Sequence, residues 1–129
     1  MEARLFHCAL VIIGGGLGAL LRYGSIQWVN SLHKAPFALG TLVVNAAGSA
    51  LIGFFAALLE KLEKLEGGRL LVITGFLGGY TTFSAYALET ARYFLSGNIL
   101  YGLLNILAHN ALCIACVGAG MGAAGFFLK

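Results

Sequence analysis

The chain has 129 residues, 60% of them hydrophobic and only 10% charged, against about 25% charged in an ordinary soluble domain. That composition cannot clothe a water-facing surface, which excludes a soluble globular domain; at this length one compact domain over residues 1–129 is expected. The formal charge of +3 comes from scattered Lys and Arg, with no basic run interleaved with aromatics, so nucleic-acid binding is not expected.

A helix needs about 20 mostly apolar residues to cross a bilayer, and four such runs appear in chain order. The first extends from about Leu5 to Trp28 and holds Gly14, Gly15, Gly16, Gly18 and Arg22. Its start resembles a signal peptide, but without a small-x-small cleavage site it reads as a membrane helix. The second runs from about Phe37 to Leu59, after the turn-forming stretch Ser31 to Pro36. The charged block Glu60 to Glu66, closed by Gly67, Gly68 and Arg69, reads as an exposed connection continuing that helix.

The third run, about Leu70 to Leu95, is interrupted by Gly75, Gly78, Gly79 and the string Tyr80-Thr81-Thr82-Phe83-Ser84. Residues of poor helix propensity concentrated at mid-span predict a break in the helix. The plainer alternative is a kink packed by its neighbours. A break frees carbonyls, which survive at membrane depth only when buried in protein or lining a wet cavity, and which are natural oxygen ligands for a small cation. After a turn at Ser96-Gly97-Asn98, the fourth run covers Ile99 to about Leu128. Short loops make an up-down-up-down bundle the expected topology. Arg4, Lys61, Lys64, Arg69 and Lys129 fall on the side of the termini, against Lys34 with Arg22 and Arg92 near it, so the termini are expected in the cytoplasm.

Polar groups within the spans are costly and so informative. The small-xxx-small pairs Gly14 to Gly18, Gly75 to Gly79 and Gly118 to Gly122 suit close helix packing. Phe83 and Tyr86 share one helical face beside Thr82 and Ser84; two such aromatics are often simple packing, yet ring edges and hydroxyls together can replace water around a small anion. Asn45, in the middle of the second run, suits either helix glue or a pore wall. Arg22 can snorkel to the interface or draw anions toward an opening. On the fourth run Tyr101, Asn105, His109 and Cys113 form one stripe that fits a pore wall. His109 with Cys113 and Cys116 is a poor match to a zinc site, and the odd count of three cysteines offers no disulfide framework. Glu89 is the sole carboxylate within a span and there is no Asp, so no nucleophile, base and orienting acid come together and no enzyme is read.

Three segments in order, Gly15 to Tyr23, Gly40 to Gly48 and Gly75 to Ser84, together resemble the Fluc/CrcB family of fluoride ion channels, and the resemblance spans nearly the whole chain. It implies an all-α membrane protein with four transmembrane helices, the third broken at its centre, assembled as an antiparallel inverted, dual-topology dimer in the plasma membrane, the bacterial inner membrane. It further implies two fluoride pathways lined by both subunits and a structural sodium ion held by the backbone carbonyls of Gly78 and Thr81. By the same resemblance Phe83 is the first aromatic of a phenylalanine pair and Asn45 a pore-lining amide. Arg22 is then a vestibule arginine, Glu89 the acid following the pair, and His109 a polar side chain facing the pore. Tyr86 departs from the family pattern, standing where a second phenylalanine is usual and adding a hydroxyl that needs a partner. The Lys and Arg imbalance departs too, and leaves room for a paralogous inverted partner in place of an identical one. Fluoride would pass by weak contacts in series from Asn45, Thr82, Phe83, Ser84, Tyr86 and His109. The rival readings are a small dual-topology proton-coupled multidrug exporter, for which Glu89 is the only candidate acid, and a structural subunit that needs no cavity.

Overall fold

In a computed structural model, which describes residues 2–33, 37–61 and 66–128, the chain is all helical. α1 covers Glu2–Leu32, α2 Leu39–Lys61 and α6 Ile99–Phe127. Between α2 and α6 lies a composite span, Glu66–Leu95. It consists of the single turn α3 (Glu66–Gly68), a π-helical stretch Arg69–Leu77, the turn α4 (Gly78–Tyr80) and α5 (Phe83–Leu95). Each of the four spans is long and apolar enough to cross a membrane. The 31 residues of α1 rise about 46 Å, more than the roughly 30 Å of hydrocarbon. Of the expected positive flank, Lys64 and Lys129 lie outside the described residues, as does Lys34 of the opposite side.

The interior of the bundle is thin. Leu77, Val44 and Asn105 are the largest fully buried side chains among the described residues, while Ile12, Leu20, Leu107 and Ile114 stand exposed. A water-soluble protein would invert that pattern; here the apolar exterior suits lipid or another protein surface.

Glycine sets the helix spacing. A Cβ on Gly18 would overlap the Phe76 carbonyl, and one on Gly14 the Leu71 carbonyl, so α1 lies backbone to backbone against the π-helical stretch. Gly53 of α2 faces the Val117 carbonyl and Gly120 of α6 faces the Ala50 carbonyl in the same way. Of the third expected pair, Gly118 and Gly122 both look into open space, and Gly120 between them makes the contact. The stripe facing α2 is therefore set two residues away from the motif, about 200° around the helix. The Lys61 ammonium donates to the Leu128 carbonyl at 3.2 Å, which ties the C-terminal ends of α2 and α6 together at one end of the bundle.

The turn between α5 and α6 falls at Ser96-Gly97-Asn98 as expected. Gly97 has φ +77°, its N–H donates to the Phe94 carbonyl (3.1 Å), and the Asn98 N–H donates to the Tyr93 carbonyl (2.9 Å). This is a Schellman closure, with glycine in the left-handed position that the motif requires.

Gly120→Ala is expected to lower the unfolding free energy in detergent by about 1–3 kcal/mol, because the added methyl meets backbone that cannot yield. Gly122→Ala, which meets nothing, is expected to leave it unchanged or slightly raised. Denaturation curves of the two variants against wild type check this.

Candidate functional site

The third span breaks at Thr81 and Thr82, both extended, with φ/ψ of −85°/158° and −150°/109°. Two things place the break there. Thr82 is an N-cap, its Oγ1 accepting the Ala85 N–H at 3.2 Å, so α5 begins anew at Phe83. The backbone groups that leave the helix also find partners on α2. The Thr82 N–H donates to Asn45 Oδ1 at 2.8 Å, and Asn45 Nδ2 donates back to the Thr82 carbonyl at 3.0 Å.

This reciprocal pair imitates a β-bridge with one side chain, and both of its residues are buried. Gly48, one turn after Asn45, allows the approach, since a Cβ there would collide with the Thr81 methyl. Of the two readings of Asn45, helix glue is what the structure displays. One of its two amide hydrogens remains beyond the pairing, and Asn45 also lines the adjacent cavity.

In an unbroken helix the Thr82 N–H would serve the Gly78 carbonyl. Diverted to Asn45, it leaves that carbonyl without its usual donor. The Thr81 carbonyl, one residue before the cap, accepts from Arg22 Nη1 at 3.3 Å. Arg22 is half-buried and thus reaches from α1 into the break.

A cavity of about 330 Å³ adjoins the break. α2 lines it with Asn45, Ser49 and Ile52, and the break and the start of α5 with Thr81, Thr82, Phe83 and Tyr86. α6 contributes His109, Asn110, Cys113 and Ile114. Five of the six residues expected along a fluoride path are thus brought together: Asn45, Thr82, Phe83, Tyr86 and His109. Ser84 lies outside the lining, exposed and in hydrogen-bond contact with Thr82 Oγ1 (3.2 Å). The rings of Phe83 and Tyr86 meet edge on, with centroids 5.2 Å apart, and Tyr86 lies 4.5 Å from the His109 ring. Phe83 is 78% exposed.

The polar stripe on α6 divides. His109 and Cys113 line the cavity, whereas Asn105 is wholly buried away from it, donating to Thr90 Oγ1 at 2.9 Å. Tyr101 packs against Phe37 and Tyr93. His109 Nδ1 lies 3.1 Å from the Asn105 carbonyl; a carbonyl only accepts, so Nδ1 carries the proton. Nε2 is buried without a partner among the described residues. Glu89 is outside the cavity lining, where Thr41 Oγ1 donates to its Oε1. Among the described residues no three His, Cys, Asp or Glu side chains are grouped as a metal site would need.

Two polar lining residues escaped the sequence reading. Ser49 is one helical turn beyond Asn45, a spacing that could have flagged it. Asn110 is hidden in sequence behind its neighbour His109.

Comparison with known proteins falls on this architecture. A family model described as CrcB-like protein, camphor resistance (CrcB), matches residues 9–121. This chain belongs to the CrcB family. Among similar proteins of the family is a fluoride-specific ion channel FluC of Rhizobium johnstonii, 42% identical over 118 residues, which cover 91% of this chain and 94% of that one. Others bearing the same name come from Hahella chejuensis, 42% identical over 89% of this chain and 91% of the relative, and from Coxiella burnetii, 42% identical over 88% and 91%. The matched region takes in the glycine contacts of α1, the Asn45–Thr82 pairing and every residue of the cavity lining.

Asn45→Ala leaves the Thr82 N–H and carbonyl unpaired in a buried place and is expected to cost about 2–4 kcal/mol of stability. Asn45→Asp, which keeps the acceptor and loses the donor, is expected to fall between it and wild type. Unfolding in detergent, together with faster deuterium exchange of the Thr82 amide in Asn45→Ala, checks both.

Proposed function

We propose that this chain is a subunit of a fluoride-selective channel of the bacterial plasma membrane that lets fluoride leave the cytoplasm passively and so limits its toxicity. The observation that carries the reading is its 42% identity, over 91% of its length, to a protein named as a fluoride-specific ion channel. The geometry agrees with it. Stripping water from an anion costs tens of kcal/mol in hydrocarbon on the idealised Born estimate, so many donors must share the load. The cavity wall carries two amides, hydroxyls and aromatic edges, and among the described residues no Lys or Arg lines it that would trap an anion.

Two copies of a single four-helix domain, inserted in opposite orientations, would complete the pathway. The large exposure of Phe83 at the cavity and the apolar exterior of the bundle support a second subunit there. The partner is an identical chain, or a paralogue if the charge imbalance fixes one orientation.

The residues at the break suit a structural sodium ion. The Gly78 carbonyl has lost its helical donor, and the Thr81 carbonyl already faces a cation, the Arg22 guanidinium. Gly78 and Thr81 would hold the ion, which would supply charge to fix the two breaks against each other. Arg22 then sits beside that site, and its field raises the local anion concentration at the mouth of the path.

A proton-coupled exporter would need a carboxylate facing the substrate cavity. Glu89 instead lies outside the lining and is engaged by Thr41, which argues against that rival.

Liposomes containing the purified chain are expected to release fluoride rapidly and chloride little, as read with ion-selective electrodes. Equal release of both ions, or none of either from liposomes that hold the assembled protein, contradicts the reading.

A further inference from the structure

Asn110 follows His109 on α6, and its Nδ2 makes two contacts. One is to the Ile106 carbonyl one turn back, at 2.8 Å; the other, at 3.4 Å, is to the Tyr86 hydroxyl. An amide nitrogen only donates, so the Tyr86 oxygen is the acceptor of that bond. A phenol also carries one proton of its own, and among the described residues no acceptor takes it. The ring cannot swing freely to find one, since it is 9% exposed and held between the Phe83 edge and the His109 ring. The neighbouring His109 offers no donor to the cavity, because Nδ1 faces the Asn105 carbonyl and Nε2 is buried.

We propose that Tyr86 and Asn110 form a hydrogen-bond-donating station for fluoride, with Asn110 filling the acceptor side of the Tyr86 hydroxyl and turning its proton into the cavity. This rests on the fluoride-channel reading and goes beyond it by giving Asn110 a positioning role. The ligand is a small anion that accepts hydrogen bonds strongly. An O–H to anion bond is short and directional, so a proton fixed in direction discriminates by size as well as charge. The station is neutral, which keeps binding weak enough for release. It also gives the hydroxyl at position 86 a use: where a phenylalanine offers only a ring edge, the tyrosine adds a true donor on the same wall as Asn45 and Thr82.

The test measures fluoride efflux from liposomes as a function of fluoride concentration for wild type, Tyr86→Phe, Asn110→Ala and the double variant, each verified as monodisperse in detergent. Tyr86→Phe deletes only the hydroxyl, so its folding is not at stake. It is expected to raise the half-saturating fluoride concentration about tenfold. Asn110→Ala is expected to raise it about threefold, and to add nothing in the Tyr86→Phe background, because Asn110 acts through the hydroxyl. A conducting wild type with Tyr86→Phe unchanged overturns the proposal. So does an Asn110→Ala effect of the same size in both backgrounds, which marks a merely structural role. A wild type that passes no fluoride overturns instead the reading on which the proposal rests.

Discussion

The pairing of Asn45 with both backbone groups of Thr82 is the constraint on which the rest of this structure depends. In hydrocarbon every N–H and carbonyl must be satisfied within the protein, and two extended residues at mid-span break that rule unless something replaces the helical ladder. One amide side chain does so, donating and accepting at once. Its effects extend in both directions along the chain. Upstream, it takes the donor of the Gly78 carbonyl; downstream, it holds Thr82 where its hydroxyl caps α5. The approach it requires is possible only because Gly48 presents no side chain to Thr81. The cavity lies where α2, the break and α6 meet, so the residue that makes the break tolerable also borders the space the break opens.

Around that space the polarity is graded. The lining is made of neutral polar, aromatic and apolar side chains, and the charged groups near it are engaged elsewhere, Arg22 by the Thr81 carbonyl and Glu89 by Thr41. A full positive charge in the lining would hold an anion too long, and a full negative charge would exclude it. Neutral donors distributed over three helices avoid both outcomes. The glycine contacts between α1 and the π-helical stretch, and between α2 and α6, fix the relative positions of these helices to within the tolerance of backbone packing. Donors on different helices can therefore converge.

Much of this was legible in the sequence, for physical reasons that differ from element to element. The four spans follow from apolar runs of bilayer length. The break follows from Gly78 to Ser84, where helix-poor residues cluster, and the two threonines supply both the extended backbone and the cap. The turn at Gly97 follows from a glycine where a left-handed residue is required. Other features were not legible. The π-helical stretch Arg69–Leu77 has no signature in composition, since one extra residue per turn leaves the apolar character unchanged. The stripe from Tyr101 to Cys113 was correct as a helical face, but periodicity gives a face and not its neighbour. Asn105 meets Thr90, while His109 meets the cavity. The reach of Arg22 to Thr81 joins residues 59 apart, which no local pattern encodes.

On the proposed function, fluoride passes through the cavity beside the Asn45–Thr82 pairing. Cys113 lines that cavity from α6, and its thiol gives direct access to the question once Cys8 and Cys116 are replaced by serine. The measurement is fluoride efflux from liposomes before and after treatment with a small water-soluble thiol reagent, with the extent of labelling read by mass spectrometry. Labelling Cys113 is expected to reduce fluoride efflux to near background, and saturating fluoride to slow the labelling. Full efflux from fully labelled protein would contradict that route.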